Sequence, residues 1–337
     1  MCIIQVSSNK NAATFPNVNV GPFRQLSDGA DYRQSWLIHS FIGNLTKLRG
    51  DHSFRFGADY RLYRENYFDY THDISPQLSY SSTYTRGPFD NSPAPPVGGE
   101  IAAFLLGIPG GQMTRSASFA QQNHFLGLYF HDDFKVSPKL TLNLGLRYEL
   151  ETPPTERFDR SVAHFAFGQP SPLDAAARAN YAANPIPELP ATAFRLLGGL
   201  TFANAGGNPR TLWQGEKNNF MPRVGFAYQL RPKTVLRGGY GLFYDSIGID
   251  TVNAIQTGYS MSTPIQASLD SGLTYVASTA NPFPAGLLEP LGPRGGLATN
   301  LGQSVSFFAD KRTQGYAQRW SFGLQQLLPG QFLAEAS

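Results

Sequence analysis

The sequence predicts an all-β protein: an antiparallel, up-and-down transmembrane β-barrel segment of about eight strands, with short turns at one end and long loops at the other. Three observations predict it. Several segments alternate strictly between apolar and polar residues. Tight turns join these segments in pairs. Long connections separate the pairs, always at the end opposite the turns. Short turns at one end and long loops at the other are the asymmetry of outer-membrane barrels.

The clearest strand is Leu140 to Leu150, where every even position is apolar or aromatic and every odd position is polar, charged or Gly. Such alternation gives a strand one greasy and one wet face. Eleven residues at about 3.3 Å each, tilted about 45°, rise roughly 25 Å, the height of a barrel's apolar band.

Taken in order, the first hairpin is expected near 36–68, turning at Arg49-Gly50-Asp51-His52. Its returning strand alternates well, whereas the outgoing strand has a poorer phase. The second hairpin is expected near 123–150 with a turn at Ser137-Pro138-Lys139, and the third near 220–245 with a turn at Arg231-Pro232-Lys233. The fourth, near 305–337, turns at Leu328-Pro329-Gly330. Pro138, Pro232 and Pro329 are physical stops, because Pro presets φ for a turn and cannot donate to a ladder. The long loops fall near 69–118, 151–218 and 246–304. Soluble domains seldom carry structureless loops of that length.

Composition agrees. Charged residues make up 15% of the 337 residues and aromatics 13%, with 34 Gly and 25 Pro. A soluble domain carries nearer 25% charge. No apolar run approaches the roughly 18 residues of a spanning helix. A net charge of +3 is too mild and scattered for nucleic acid. One cysteine, Cys2, excludes an intrachain disulfide and a Cys-based zinc site. No secretory signal opens the chain, although an exported protein requires one.

The alternation also assigns faces. The wet set, expected to face the lumen, holds Arg55, Asp59, Arg61, Tyr129, His131, Asp133, Lys135, Arg147, Glu149, Arg223, Arg237, Asp245 and Arg319. The greasy set, expected to face lipid, holds Phe54, Phe56, Leu128, Phe130, Leu142, Leu144, Leu146, Phe226, Tyr228, Leu242, Trp320 and Phe322. Glycines recur on the wet face, among them Gly57, Gly127, Gly145, Gly225, Gly239, Gly241 and Gly323. A closed eight-strand barrel fills its interior with side chains, so Gly there suits a wide lumen or a close-packed insert.

The segments HSFRFGADYR (52–61), FLGLYFHDDFKVSPKLTLNLGLRYE (125–149), NNFMPRVGFAYQLRPKTVLRGGYGLFYD (218–245) and YAQRWSFGLQQLLPG (316–330) resemble the barrel of TonB-dependent receptors. The resemblance is to the large Oar-like kind, whose full chains begin with a carboxypeptidase-regulatory-like domain. It implies a barrel of the outer membrane of a Gram-negative bacterium, with lipid, a plug domain and the TonB system as partners. It implies uptake of a large or scarce solute and no enzyme activity. Signal, TonB box and plug are not visible in this sequence, so a slice from the middle of such a barrel is expected. The alternatives are a self-contained passive porin or structural barrel, and a soluble β-sandwich binding module.

Candidate chemistry is sparse. His131 and Asp133 can meet on one strand face, but Asp132 points the other way, and two ligands do not close a metal site. His72-Asp73 has no G-x-S-x-G nucleophile to serve. Arg49-Gly50-Asp51 reads as a hairpin turn. No H-E-x-x-H, P-loop or dinucleotide fingerprint is present. No catalytic, cofactor or metal residues are expected.

Overall fold

The computed structural model describes residues 16–23, 25–27, 32–69, 75–88, 91–93, 97–115, 118–248 and 252–337. Cys2 and the His72-Asp73 pair lie outside the described residues. Strand β1 (Asn17–Val20) precedes the first hairpin, β2 (Tyr32–Arg49) and β3 (His52–Asp69). The first loop holds β4 (Gln77–Tyr80), helix α1 (Gly99–Leu106) and β5 (Gly110–Arg115). The second hairpin is β6 (Phe119–Ser137) and β7 (Leu140–Glu151). The second loop carries β8 (Thr155–Glu156), β9 (Val162–Phe165), helix α2 (Asp174–Ala183) and β10 (Leu200–Phe202). The third hairpin is β11 (Asn219–Arg231) and β12 (Thr234–Tyr244), and its loop holds β13 (Met261–Pro264). The fourth is β14 (Tyr316–Leu327) and β15 (Leu333–Ala336).

The wall is one antiparallel meander in the order β15-β14-β12-β11-β7-β6-β3-β2, with β8 pairing beside β6. Among the strands of the wall, every neighbour in this order is also the next in sequence, the topology that tight turns and long return loops dictate. At its edge, β2 pairs all along one side with β3 and, among the described residues, with nothing on the other.

The first two hairpins extend a few residues beyond their expected limits, and the third matches its limits to within one residue at each end. The fourth differs most: its outgoing strand starts at Tyr316 and not near residue 305. Residues 305–315 instead belong to the loop layer, where Phe308 packs with Phe119, Leu212, Trp213 and Ala254.

The loops are folded. Strands β1, β4, β5 and β13 form a second sheet, and β9 pairs with β10. The β4–β5 crossing is so close that a Cβ on Gly111 would meet the Gln77 carbonyl oxygen at 1.9 Å, and its φ is +106°. Only Gly fits there. The fully buried apolar residues, including Tyr80, Val162, Leu200, Leu212 and Met221, lie in these loops or at the strand ends beneath them. The wall itself has no apolar core. Its greasy side chains, such as Leu146, Val224, Trp320 and Phe322, are exposed on one surface.

Candidate functional site

Register turns the strands into rows of side chains across the sheet. One row reads Thr46, Arg55, His131, Gly145, Arg223, Gly241, Arg319. The next row toward the tight turns reads Leu48, Ser53, Asp133, Asn143, Gly225, Gly239, Ser321. One further row holds Lys135, Thr141, Ala227, Arg237 and Gly323. Toward the loops come Tyr129 opposite Arg147, and Gly127 opposite Glu149. The strand pleat puts Asp59 and Arg61 on this same face. Asp245 follows the end of β12, its N–H donating to the Gly315 carbonyl at 2.8 Å.

The opposite face is greasy. One row reads Leu45, Phe56, Phe130, Leu146, Pro222, and another Phe134, Leu142, Phe226, Gly238, Phe322. Between them lie Lys47, Phe54, Asp132, Leu144, Val224, Tyr240 and Trp320. Leu128, Tyr228 and Leu242 share that face.

The electrostatics of the wet face are uneven. Around β3, β6 and β7 each arginine meets an acid. Arg61 grips Asp59 through Nη2 at 2.7 Å and Nε at 3.0 Å. Arg147 pairs with Glu149. Asp133 accepts from Arg55 and Asn143 and lies 2.9 Å from His131 Nε2. Around β11, β12 and β14, among the described residues, no carboxylate lies in ion-pair range of Arg223, Arg237 or Arg319. Instead the Arg223 and Arg319 guanidinium carbons lie 4.6 Å and 5.6 Å from the centroid of the Phe243 ring.

Sequence reasoning missed two polar constellations. Asp132, on the greasy face, is shielded from the surface and bonds His52 Nδ1 at 2.8 Å. His52 in turn stacks on Phe134, ring centroids 4.0 Å apart. The partners lie in different hairpins, so local spacing carries no signal. The second is Glu151 at the loop end of β7. Its carboxylate accepts from Asn123 Nδ2 (3.1 Å), Ser246 Oγ (2.9 Å), the Ile247 and Gly248 N–H groups (2.9 and 2.7 Å) and Gln314 Nε2 (2.9 Å). Nearby, buried Glu156 accepts the backbone N–H groups of Ala120, Phe158 and Arg160. In the same loop layer burial pushes the Tyr259 phenol up to about 12, helped by the charges of Glu156 and Asp159. Among the described residues no group of three or more His, Cys, Asp or Glu is arranged to hold a metal.

A family model described as outer membrane beta barrel domain matches residues 2–337. The chain belongs to the outer membrane beta barrel domain family. Its place is therefore the outer membrane, and the barrel wall contacts lipid. Among solved structures, the ferric citrate transporter FecA in its unliganded form aligns over 90% of this chain and 27% of that chain, with 10% identity and a TM-score of 0.32. The barrel segment thus spans about a quarter of that structure's length. No curated protein matches it.

Proposed function

We propose that this barrel segment is wall and extracellular loop layer of a TonB-dependent receptor-type transporter that takes up a large or scarce solute, and that it is not an enzyme. In this reading the greasy face, from Phe54 and Phe56 through Leu146 to Trp320 and Phe322, meets lipid. The wet face, from Arg55 to Arg319, lines the lumen. The observation that carries the reading is the free edge of β2. β2 runs for eighteen residues, and every second one presents its N–H and C=O on a side that pairs with nothing among the described residues. A bilayer does not tolerate an open sheet edge, because unpaired N–H and C=O groups there have no water to bond. In this reading further strands continue the wall. The side chains of β2 fit this, since Trp36, Ile38 and Ile42 are exposed on the wet face and Leu37, Phe41 and Leu45 on the greasy one. An insert or plug in the lumen would cover the first set, as lipid covers the second. The folded loops suit the capture of a solute at the mouth.

The test is the native mass of the outer-membrane species that carries peptides from 123–150, with peptide mapping of that species. A band far heavier than 36.9 kDa, containing plug peptides, is expected. A membrane species of 36.9 kDa alone would replace active uptake with a small self-contained barrel.

A further inference from the structure

We infer that Arg64, Arg157 and Arg210 form a cleft on the lipid-facing side of the wall that binds the phosphate of a phosphorylated outer-leaflet lipid. The register places it. Going up the greasy face from the tight turns, Phe41, Tyr60, Leu126 and Leu150 make an apolar row. The next row holds His39, Leu62 and His124, and Tyr60 Oη lies 2.8 Å from His124 Nδ1. Above it the same face turns polar. One row reads Leu37, Arg64, Gln122, Thr155. The row above reads Ser35, Asn66, Ala120, and Arg157 joins it, its N–H donating to the Ala120 carbonyl at 2.7 Å. Arg64 stands twelve residues beyond the start of β3, about 28 Å above the turns at the usual rise and tilt. A barrel's apolar band is about 25 Å tall, so these rows stand just past it, at headgroup level.

Arg64, Asn66, Gln122, Thr155, Arg157 and Arg210 line one cleft of about 480 Å³. β6 lies between β3, which carries Arg64, and β8, which leads to Arg157. Arg210 is held against Arg157 through Nη2, which donates to the Glu156 and Arg157 carbonyls at 3.0 and 3.2 Å. Its Nε meets Asp159 at 2.6 Å. Arg64 gives Nε to Gln122 Oε1 at 3.3 Å, and the Arg157 guanidinium carbon lies 5.4 Å from the centroid of the Phe158 ring. Two buried carboxylates nearby are engaged on the other face. Glu65 accepts from Gln34 and Gln121, and Glu156 from three backbone N–H groups. Arginine forks suit phosphate oxygens. The occupant is a lipid and not a free anion, because exposed Leu37 lines the cleft beside Arg64, and exposed Phe41 and Tyr60 lie below. Acyl chains would follow those apolar side chains while the phosphate is held above them. A soluble anion gains nothing from that surface.

The inference rests on the reading that the long loops are extracellular, and two measurements keep the claims apart. The full-length protein, purified in a neutral detergent, is titrated with radiolabelled phosphatidic acid, and with diacylglycerol as the same lipid without its phosphate. Saturable binding of the first and not the second is expected. Arg64→Gln and Arg157→Gln, both at exposed side chains, should each weaken it about tenfold, as the loss of a charge-assisted hydrogen bond would. Arg49→Gln, at the tight turn of the first hairpin, should leave it unchanged. No saturable binding by wild type, equal binding of diacylglycerol, or wild-type binding by both cleft variants would overturn the cleft. An equal loss in Arg49→Gln would overturn it too, by showing general surface charge. Inorganic phosphate that competes as well as the lipid would make the occupant a free anion and end the lipid assignment. Orientation is read separately. In a Cys2→Ser background, Glu188→Cys in the second loop is expected to react with a membrane-impermeant maleimide on intact cells, above the level of the Cys2→Ser protein. Reaction only after the outer membrane is opened would overturn the extracellular reading, and the outer-leaflet assignment with it, whatever the lipid binding. Reaction on intact cells together with failed lipid binding removes the cleft alone.

Discussion

At the residue scale, the most informative neighbours are Leu144 and Leu146, successive greasy positions on one strand. A charge on a barrel's lipid face costs about 2–4 kcal/mol at mid-bilayer and little near the interfaces. Sequence alone makes Leu144 an obvious place to test this. The register shows otherwise: Leu144 stands directly beside Asp132, with Lys47 in the same row. An arginine there would find a carboxylate. Leu146 stands between Phe130 and Pro222. It lies six residues beyond the start of β7, about 14 Å above the turn at the usual rise and tilt, near the middle of the band. Leu146→Arg should therefore largely abolish assembly, read as loss of the folded, heat-modifiable band in outer membranes. Leu144→Arg should do so less. Equal, undiminished assembly of both variants would remove the lipid-facing assignment of this surface.

At the element scale, the loop layer is held to the wall by a few carboxylates, and Glu151 holds the most. It gathers the end of β6 through Asn123, the start of the third loop through Ser246 to Gly248, and that loop's far end through Gln314. Hydrogen bonds to a charged group are worth about 1.5–3 kcal/mol each, and their loss is not additive. Glu151→Ala should make the 246–315 segment on intact cells at least about tenfold more sensitive to protease, equivalent to about 1.4 kcal/mol of local stability. Glu149→Ala, which loses one pairing with Arg147, should not. Unaltered protection in Glu151→Ala would mean that the apolar cluster of Trp213 and Phe308 holds the loops alone. This element also marks where the sequence stopped being legible. Strand faces repeat every second residue, so Leu140 to Leu150 could be read without a partner. The outgoing strand β2 could not, because it is greasy on both sides. The loop sheet of β1, β4, β5 and β13 depends on contacts distant in sequence, such as the one that requires Gly111, and no local period announces it. For the same reason His131 with Asp133 was visible on one strand, whereas His52 with Asp132 and the unpaired arginines around Phe243 appear only once strands are aligned.

At the scale of the whole molecule, the sheet is wide but has free edges among the described residues, and its two edge strands are badly matched. β2 offers eighteen residues, whereas β15 offers four. Pairing them would leave most of the β2 ladder unbonded in the bilayer, where each orphaned polar group costs several kcal/mol. The 337-residue segment refolded by itself into lipid vesicles should therefore not give a discrete closed monomer. It should associate through β2, whose edge carries exposed Trp36, Ile38, Phe41 and Ile42, the long greasy edge that aggregation favours. Replacing Ile38 and Ile42 with Lys should then raise the fraction that stays dispersed, because charges on an edge strand oppose further pairing. The measurement is the size distribution of the detergent-extracted protein before and after the substitutions. A uniform, heat-modifiable monomer from the unsubstituted segment would mean that β2 closes on β15 after all. The wet face would then line a narrow eight-strand interior, in which Gly225, Gly239 and Gly241 would leave space that side chains normally fill. Under the proposed function, the glycine carpet and the edge left free among the described residues fit one arrangement, a wall continued by further strands around a wider lumen.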